Sequence, residues 1–418
     1  MAETLLWLIV LIVLADFAIE RFVGYLNTTR WSDTLPEAAR GIYDEQEYAR
    51  QQAYQRENYR FGQKVAIVSL LLLLTLLMMQ GFAHLDRFAA AVTAYQPLQA
   101  ILFFALLGLG ADLFNTPFAL YATFKIEAKY GFNTTTLATF FTDKLKGYLL
   151  AALLGGAVLW LVVVLYHATG SWFWLLTWGV MSLFSIFMAM FYSSLIVPLF
   201  NKQTPLEEGE LKTAIQNFAE TNGFKLDNIF VIDGSKRSTR ANAYFTGLGS
   251  KKRIVLYDTL IADMTVDEVV AVLAHEVGHY KKRHVIQGLI LGLLQTGLLL
   301  FLFSIVVANP MVGQALGVET PSFQIGLVAF SLLYAPFSMV TGWFMNHLSR
   351  RNEFAADEYA AIHFGAEPLI SALRKLSVKN LSNLTPHPVY VFFNYSHPPL
   401  LQRLEHLKQF ARRTVENP

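Results

Sequence analysis

Seven apolar runs, most of them long enough to cross a lipid bilayer, dominate this sequence. A membrane-spanning helix needs about 20 predominantly apolar residues. The chain has 418 residues, of which 54% are hydrophobic and 15% are charged, whereas about 25% of an average soluble protein is charged. This composition excludes an ordinary soluble enzyme and predicts a mainly α-helical, polytopic membrane protein. The seven runs are Leu5–Ile19, Val65–Phe82, Pro97–Phe124, Gly147–Ala168, Trp172–Pro198, Val285–Ala308 and Phe323–Met345.

The first run is the shortest and contains Asp16 between Glu3 and Glu20. A cleaved signal peptide is the alternative interpretation of this run. Such a peptide has basic residues before its apolar stretch and a small-residue cleavage site after it. The sequence shows neither feature at this place, so we expect a membrane helix here.

The basic residues indicate how the runs are oriented. Of the 33 Lys and Arg residues, 32 fall in one set of alternate segments between the runs and one falls in the other set. Because cytosolic segments carry the excess of basic residues, we expect the amino terminus outside and the carboxyl terminus in the cytosol. The alternation holds for seven spans and would break for six or eight.

Two further counts exclude other classes of protein. The chain has no Cys, which excludes a disulfide framework, a thiolate metal site and a Cys nucleophile. Its net charge of +2 gives no broad field to attract polyanions, so we expect no nucleic-acid partner. The absence of a visible internal repeat disfavours transporter folds built from paired halves.

The runs divide the chain into four parts. We expect two sizeable cytosolic segments in addition to the membrane helices. The parts are 1–199 (five spans and a cytosolic first loop), 200–284 (a cytosolic α/β segment), 285–346 (two spans) and 347–418 (a cytosolic carboxy-terminal segment).

The first cytosolic segment alternates helical and β-rich patterns. A helix is predicted over Glu207–Thr221, and Thr265 with Glu268 forms a capping box at the start of a second helix. Between the helices lie three β-rich runs, and a loop containing Gly247 and Gly249 joins the last two into a predicted hairpin. The runs are Asn228–Ile232, Ala241–Phe245 and Arg253–Tyr257.

The second helix of this segment carries a metal-binding pattern. His275 and His279 are four residues apart, so both imidazoles project from one face of a helix, and two imidazole nitrogens at about 2 Å suit Zn²⁺. Glu276 is placed to reach a water molecule on the metal rather than the metal itself. This H-E-x-x-H pattern predicts one Zn²⁺ per chain, with Glu276 as general base. The alternative is a polar helix end at the membrane surface.

A catalytic zinc site needs a third protein ligand. The metzincin pattern places Gly three residues and His six residues after the second His. Those positions are Lys282 and Val285, so this class is excluded. His284 falls one residue short, and we interpret it as an interfacial basic residue, with a role in the site as the alternative.

The gluzincin pattern, a Glu followed four residues later by an Asp, is present downstream. It occurs at Glu353 and Asp357, in a helical stretch expected to start just after the seventh run. Glu353 would be the third ligand, and Asp357, one turn further on, would hold a ligating His in its tautomer. Alone, such a pair is typical of a solvated helix face. Together with His275 and His279, it favours a metal site.

Five segments carry a resemblance to a known family. They are Gly234–Ser238 with Asn242–Phe245, Lys252–Asp258, His275–His279, Ser349–Asp357 and Tyr395–Arg403. In these segments the chain resembles the integral-membrane type I CAAX prenyl endopeptidases, which are zinc metallopeptidases first known for processing the yeast a-factor pheromone and prelamin A. The order and spacing of the segments fit that family, and the resemblance covers nearly the whole chain.

The resemblance implies the same catalytic zinc ligands and base, and it adds substrate contacts. His397 and Arg403 would stabilise the oxyanion and the substrate backbone, because a peptide carbonyl becomes negative in the transition state and needs fixed donors. Asn242, Ala243 and Tyr244 would hold the substrate as an added β-strand. The alternatives are a turn histidine before two prolines for His397 and a strand-edge amide for Asn242.

The resemblance also implies a fold. Family members enclose a water-filled chamber, so we expect seven transmembrane helices around a chamber, with a small cytosolic α/β gluzincin-type domain. Polar residues within the predicted spans fit such a chamber, although helix–helix hydrogen bonding explains them equally well. These residues are Asp112, Asn115, Tyr192, Ser193 and Ser194.

The sequence thus predicts a zinc metalloendopeptidase that cleaves carboxy-terminal peptides of prenylated CAAX-type proteins at the lipid bilayer. Two alternatives are kept. One is a quality-control zinc protease of membrane proteins with unprenylated substrates, and the other is a non-enzymatic transporter or channel with an accidental H-E-x-x-H. We see no carboxy-terminal retention signal, and we favour a bacterial inner membrane over the endoplasmic reticulum.

Overall fold

The computed structural model describes residues 1–223, 229–247 and 253–416. The helices before the sheet region are α1 (Ala2–Thr28), α2 (Glu45–Met78), α3 (Gly81–Val92), α4 (Gln96–Tyr121), α5 (Leu137–Leu150), α6 (Gly156–Thr169), α7 (Phe173–Leu195) and α8 (Val197–Phe200). The helices that follow are α9 (Glu210–Thr221), α10 (Asp258–Asp263), α11 (Val266–Lys281), α12 (His284–Val307), α13 (Pro310–Ala315), α14 (Phe323–Leu333), α15 (Ala335–His363), α16 (Ala366–Lys379), α17 (Pro388–Asn394) and α18 (Leu400–Glu416).

The long apolar runs form membrane-length helices. Among the described residues, five helical stretches are long and apolar enough to cross a membrane, and the bent pair α14–α15 would add a sixth. One stretch, Leu137–Phe200, contains both the fourth and the fifth predicted spans. Within it, Gly170 separates α6 from α7 with a φ of +54°, a conformation that glycine adopts readily. The helical membrane architecture is confirmed, and the count of seven spans stays a prediction.

One of the polar residues inside the spans joins two helices. Asp112 on α4 pairs with Lys144 on α5 at 2.7 Å and also contacts the hydroxyl of Tyr148. Asn115 donates to the carbonyl of Ala111 one turn earlier, at 2.8 Å. Helix–helix hydrogen bonding therefore explains Asp112, while the predicted chamber stays a prediction.

The seventh apolar run is bent rather than straight. Helices α14 and α15 meet at Tyr334 with an angle of 58°. Pro336 lies in the first turn of α15, where its missing N–H is tolerated because the first-turn donors have no partner within the helix. From there α15 continues without a break past residue 346. The stretch that carries Glu353 is thus the same helix as the second half of the seventh run, not a new helix after it.

The described residues of the cytosolic segment form a four-stranded sheet in the order β1-β2-β4-β3. Strand β2 is antiparallel to β1 and parallel to β4, and β3 is antiparallel to β4. The three predicted strands and the β3–β4 pairing are confirmed within the described residues; Asn228 and Gly249 lie outside them. Strand β1 and helix α10 were not predicted. The strands are β1 (Gln203–Pro205), β2 (Ile229–Ile232), β3 (Ala243–Thr246) and β4 (Arg253–Tyr257).

Helix α11 lies in the core beside this sheet. The predicted capping box is present: Thr265 N donates to Glu268 Oε2 at 2.8 Å, and Glu268 N donates to Thr265 Oγ1 at 3.4 Å. Val270, Leu273 and Val277 are fully buried, because α11 packs between α9, α15 and α16. A capped, buried helix gives the H-E-x-x-H pattern a fixed position.

Polar contacts fasten the sheet unit to the membrane helices. Arg237 binds Asp143 on α5 with two hydrogen bonds of 2.8 and 2.9 Å. Arg240 contacts Glu127, just after α4, at 2.9 Å. The forked Arg237–Asp143 pair fixes orientation as well as distance. The segment Gly234–Ser238, which helped to carry the family resemblance, therefore has an anchoring position in the fold.

Candidate active site

Three predicted metal ligands converge although the membrane-length helix α12 and most of the bent pair α14–α15 separate them in sequence. His275 and His279 on α11 have their Nε2 atoms 3.1 Å apart. Glu353 on α15 places Oε2 at 3.5 Å from His275 Nε2 and Oε1 at 3.3 Å from His279 Nε2. All three ligand atoms lie within 4.8 Å of one another.

The geometry and burial of this group fit a zinc ion. Ligand atoms at about 2.0–2.1 Å from a tetrahedral Zn²⁺ are about 3.4 Å apart, close to the separations observed. Glu353 is 4% exposed, and the two nitrogens that approach its Oε2, one from His275 and one from Arg403, are each 3.5 Å away. A buried carboxylate oxygen without a donor at normal hydrogen-bond distance is costly, and a bound cation would satisfy it. Two imidazoles and one carboxylate are also the ligand set of known catalytic zinc sites.

The far side of His275 is held by a carboxylate. Its Nδ1 lies 2.9 Å from Oδ1 of Asp357, which is fully buried. Burial by itself would lower the pKa of His275, but the hydrogen bonds to Asp357 and Glu353 outweigh burial and raise the pKa to about 9. The surroundings of His275 therefore favour positive charge, which a divalent metal would supply.

Arg403 on α18 contacts the carboxylates of Asp357 and Glu353. Its Nε and one terminal nitrogen bind the two carboxylate oxygens of Asp357 at 2.8 and 2.5 Å, and its other terminal nitrogen is 3.5 Å from Glu353 Oε2. Its side chain is 11% exposed. This geometry favours a role in positioning Asp357, whereas the predicted contact with the substrate oxyanion stays a prediction.

A cavity of about 280 Å³ lies next to the three ligands. Glu276 and His397 both line it, together with the three ligands and Arg403. The side chain of His397 is 66% exposed, and its Nε2 lies 3.2 Å from Glu353 Oε1. A base and an exposed donor thus share one small space with the candidate metal position.

The edge of the sheet borders the same cavity. Asn242 and Ala243 line it, whereas Tyr244 is not among its lining residues and packs its ring against that of Tyr257 at 6.4 Å. Successive strand residues point to opposite faces, which explains the difference. Within the described residues β3 pairs only with β4, so its other edge is open to an added strand.

Two features of the site were not predicted from the sequence. His284, interpreted as an interfacial basic residue, has its Nδ1 3.1 Å from Nδ1 of His279. A Cβ atom built on Gly278 would lie 3.1 Å from the backbone of Ala356, so this glycine lets α11 and α15 approach closely. The spacing of five residues between the histidines signals no such contact, because the chain turns between them.

Comparison with known proteins agrees with this architecture. Residues 205–411 match the family described as peptidase family M48. The chain belongs to peptidase family M48. Residues 25–202 match the family described as CAAX prenyl protease N-terminal, five membrane helices. As an M48 member with several membrane helices, the protein is a multi-pass integral membrane metallopeptidase that takes peptide or protein substrates.

Similarity to individual M48 proteins extends over nearly the whole chain. CAAX prenyl protease 1 of Saccharomyces cerevisiae is 34% identical over 421 residues, which cover 94% of this chain and 92% of the relative. The CAAX prenyl protease 1 homolog of Oryza sativa is 35% identical over 387 residues, 90% of each chain. The crystal structure of S. mikatae Ste24p superposes with a TM-score of 0.91 at 33% identity, covering 96% of this chain and 98% of that chain.

Proposed function

We propose that this protein is a zinc endopeptidase that cleaves near the carboxyl terminus of prenylated CAAX proteins. The observation that carries the proposal is the convergence of His275, His279 and Glu353 beside Glu276 and an open strand edge. The names of the relatives, CAAX prenyl protease 1 and its homolog, supply the substrate class. When bound, the metal supplies Lewis-acid chemistry that polarises a peptide carbonyl and acidifies a water molecule.

Each residue around the metal position has its own role in hydrolysis. Glu276 takes a proton from the attacking water and later returns it to the leaving amine. His397, exposed in the cavity wall, donates a hydrogen bond to the carbonyl oxygen as negative charge develops there. Asp357 orients His275 through its Nδ1, and Arg403 holds Asp357 in place.

The substrate binds as an additional strand on β3. Its main chain pairs with the open edge, and Asn242 and Ala243 lie between that edge and the cavity. This arrangement would present an extended peptide bond to Glu276 without requiring a particular side-chain sequence. Tyr244, on the opposite face of β3, supports the strand by packing on Tyr257.

We further propose that the site faces the cytosol. Of the 33 Lys and Arg residues, 32 fall in the segments on the side of the site, and such segments remain cytosolic. This places the amino terminus outside and the carboxyl terminus inside. The predicted assignment to a bacterial inner membrane stays a prediction; the relatives named above come from a fungus and a plant.

A pair of matched peptides tests the proposed specificity. The purified chain is given a farnesylated CAAX peptide and the same peptide without the lipid, and the products are read by mass spectrometry. We expect release of a carboxy-terminal fragment from the farnesylated peptide, at a rate at least tenfold higher than from its twin, a difference of about 1.4 kcal/mol. Equal cleavage of both peptides would support the quality-control alternative instead.

A further inference from the structure

We propose that His284 is a positioning residue for the metal centre, because its ring nitrogen accepts a hydrogen bond from Nδ1 of His279 and so fixes His279 with Nε2 toward the metal. The inference rests on the proposed zinc site and adds a residue to it. His284 lies outside the H-E-x-x-H motif and is the first residue of α12.

Each metal-ligating histidine needs a partner for its second ring nitrogen. A neutral imidazole that offers Nε2 to a metal carries its proton on Nδ1, and that N–H must find an acceptor to hold the ring in place. For His275 the acceptor is Asp357, at 2.9 Å. For His279 the described residues place one candidate there, His284, with its Nδ1 at 3.1 Å.

The proton positions of the pair are mutually consistent. If His279 donates from Nδ1, His284 accepts at Nδ1 and carries its own proton on Nε2. The ring centroids are 5.1 Å apart and the ring planes are inclined by 71°. The rings therefore meet edge to face rather than in a stack, and the separation of 3.1 Å between the two Nδ1 atoms is that of a hydrogen bond.

A bend of the backbone between α11 and α12 brings the two histidines together. Two residues five apart on one straight helix lie about 140° apart around its axis and do not touch. Here the helix is interrupted: Arg283 has a φ of +62° and a ψ of +25°, a left-handed conformation that non-glycine residues adopt at a cost. The turn ends α11 and begins α12 with His284 facing back to His279. Strain retained at such a point is typical of a functional site.

The surroundings of His284 allow its side chain to be replaced. It is half-buried and lines a cavity of about 300 Å³ together with Glu276 and His279. Shortening its side chain would enlarge this cavity without a clash. A variant at position 284 can therefore remove the acceptor while the ligands stay in place.

Zinc affinity of the purified full-length chain tests the inference. We expect His284→Ala to weaken zinc binding by about 10–100-fold, the usual effect of losing such an outer partner. His284→Asn keeps an acceptor, since Asn Oδ1 occupies the position of His Nδ1, and should recover most of the affinity. His84→Ala, at an exposed histidine on α3, is the matched control and should bind zinc like the unaltered chain. Competition with a chromophoric chelator gives the dissociation constants.

A second readout follows the ligand geometry itself. With Co²⁺ in place of zinc, the visible absorption of His284→Ala should shift relative to the unaltered chain, and that of His284→Asn should not. If His284→Ala does not fold, His284→Leu replaces it, since it keeps volume without an acceptor. Unchanged zinc affinity in the acceptor-less variant, or equal loss in that variant and in His284→Asn, would overturn the inference. Failure of the unaltered chain to bind zinc would instead remove the proposed metal site.

Discussion

At the scale of single residues, the site depends on how each ligand is held. Asp357 is fully buried and joins His275 to Arg403. A carboxylate that holds the second nitrogen of a metal ligand fixes its tautomer and raises its basicity. Asp357 therefore contributes to metal binding without touching the metal.

Replacement of Asp357 by alanine tests this role. We expect Asp357→Ala to weaken zinc binding by about 10–100-fold, because His275 loses its acceptor and Arg403 loses its buried partner. Glu358→Ala is the control, since Glu358 is the next residue on α15 and contacts His406 instead, at 3.0 Å. Chelator competition measures both. Equal zinc affinity in the two variants would exclude the role proposed for Asp357.

The sequence predicts the metal ligands better than the residues that hold those ligands in position. His275 and His279 are four residues apart on one helix, so local geometry alone puts them together. Glu353 could be predicted only because an Asp follows it at a known spacing. The contact of His284 depends on a left-handed residue at Arg283, and no general rule places a non-glycine residue there.

At the scale of elements, the site is the crossing of α11 and α15. Gly278 lies between the two metal histidines, and its missing side chain allows α15 to come close. The predicted strands were found because each is a short run rich in β-branched and aromatic residues. The three-residue strand β1 (Gln203–Pro205) is too short to show such a run. The bend between α14 and α15 was not predicted either, because the sequence of an apolar run is equally apolar whether its helix is straight or bent.

A single methyl group should disturb the crossing of α11 and α15. In Gly278→Ala the added Cβ would lie 3.1 Å from Cα and O of Ala356. We expect a loss of about 1–3 kcal/mol of stability from overpacking and weaker zinc binding, since Glu353 moves with α15. Gly288→Ala is the control, because nothing lies within 4 Å of its Cβ position. Melting temperature and zinc affinity measure the effect, and a Gly278→Ala variant equal to the control would refute close packing here.

The start of α11 should be sensitive to acid. Burial alone would raise the pKa of Glu268, but hydrogen bonds from Lys375 and Ser371 and the backbone N–H of Thr265 outweigh it and lower the pKa. A lowered pKa contributes stability above the unfolded-state pKa, about 4.3, and this stability is lost as pH falls through the folded-state pKa.

Replacing Glu268 by glutamine tests this contribution. We expect Glu268→Gln to lower stability by about 1–2 kcal/mol near pH 7, within the range for hydrogen bonds to charged groups. The difference from the unaltered chain should shrink as pH falls below the unfolded-state pKa of about 4.3 and disappear once the native carboxylate is also protonated, at lower pH. Glu367→Gln, at an exposed position of α16, is the control. Melting temperatures of the variants and the unaltered chain are measured across this pH range. A stability difference between Glu268→Gln and the unaltered chain that persists at low pH would contradict the role proposed for Glu268.

At the scale of the whole molecule, the membrane helices help to assemble the site. Glu353 and His279 come together because α12 crosses the membrane part and the bent pair α14–α15 returns to α11. The apolar bulk is thus part of the site's architecture as well as an anchor. The sequence predicted that Glu353 and His279 meet only through the pattern of metal ligands, because an apolar run does not specify which helices pack together.

Cysteine labelling tests the orientation of the whole chain. The chain has no Cys, so a single introduced thiol is unique. In sealed vesicles with the cell-surface face outward, a membrane-impermeant maleimide should label Ala94→Cys directly and Glu207→Cys only after permeabilisation. Both positions are exposed. The reverse pattern would place the site on the opposite side of the membrane from the one proposed.

The most direct test of the account is a paired measurement on Glu276→Gln. Zinc content is determined by elemental analysis, and cleavage is followed with a quenched fluorescent farnesylated peptide. Because Glu276 is proposed to move protons rather than to bind the metal, the variant should hold one zinc per chain like the unaltered protein and lose cleavage by at least about 10³-fold, a barrier increase of about 4 kcal/mol. Retained turnover in the zinc-loaded variant would contradict the central claim.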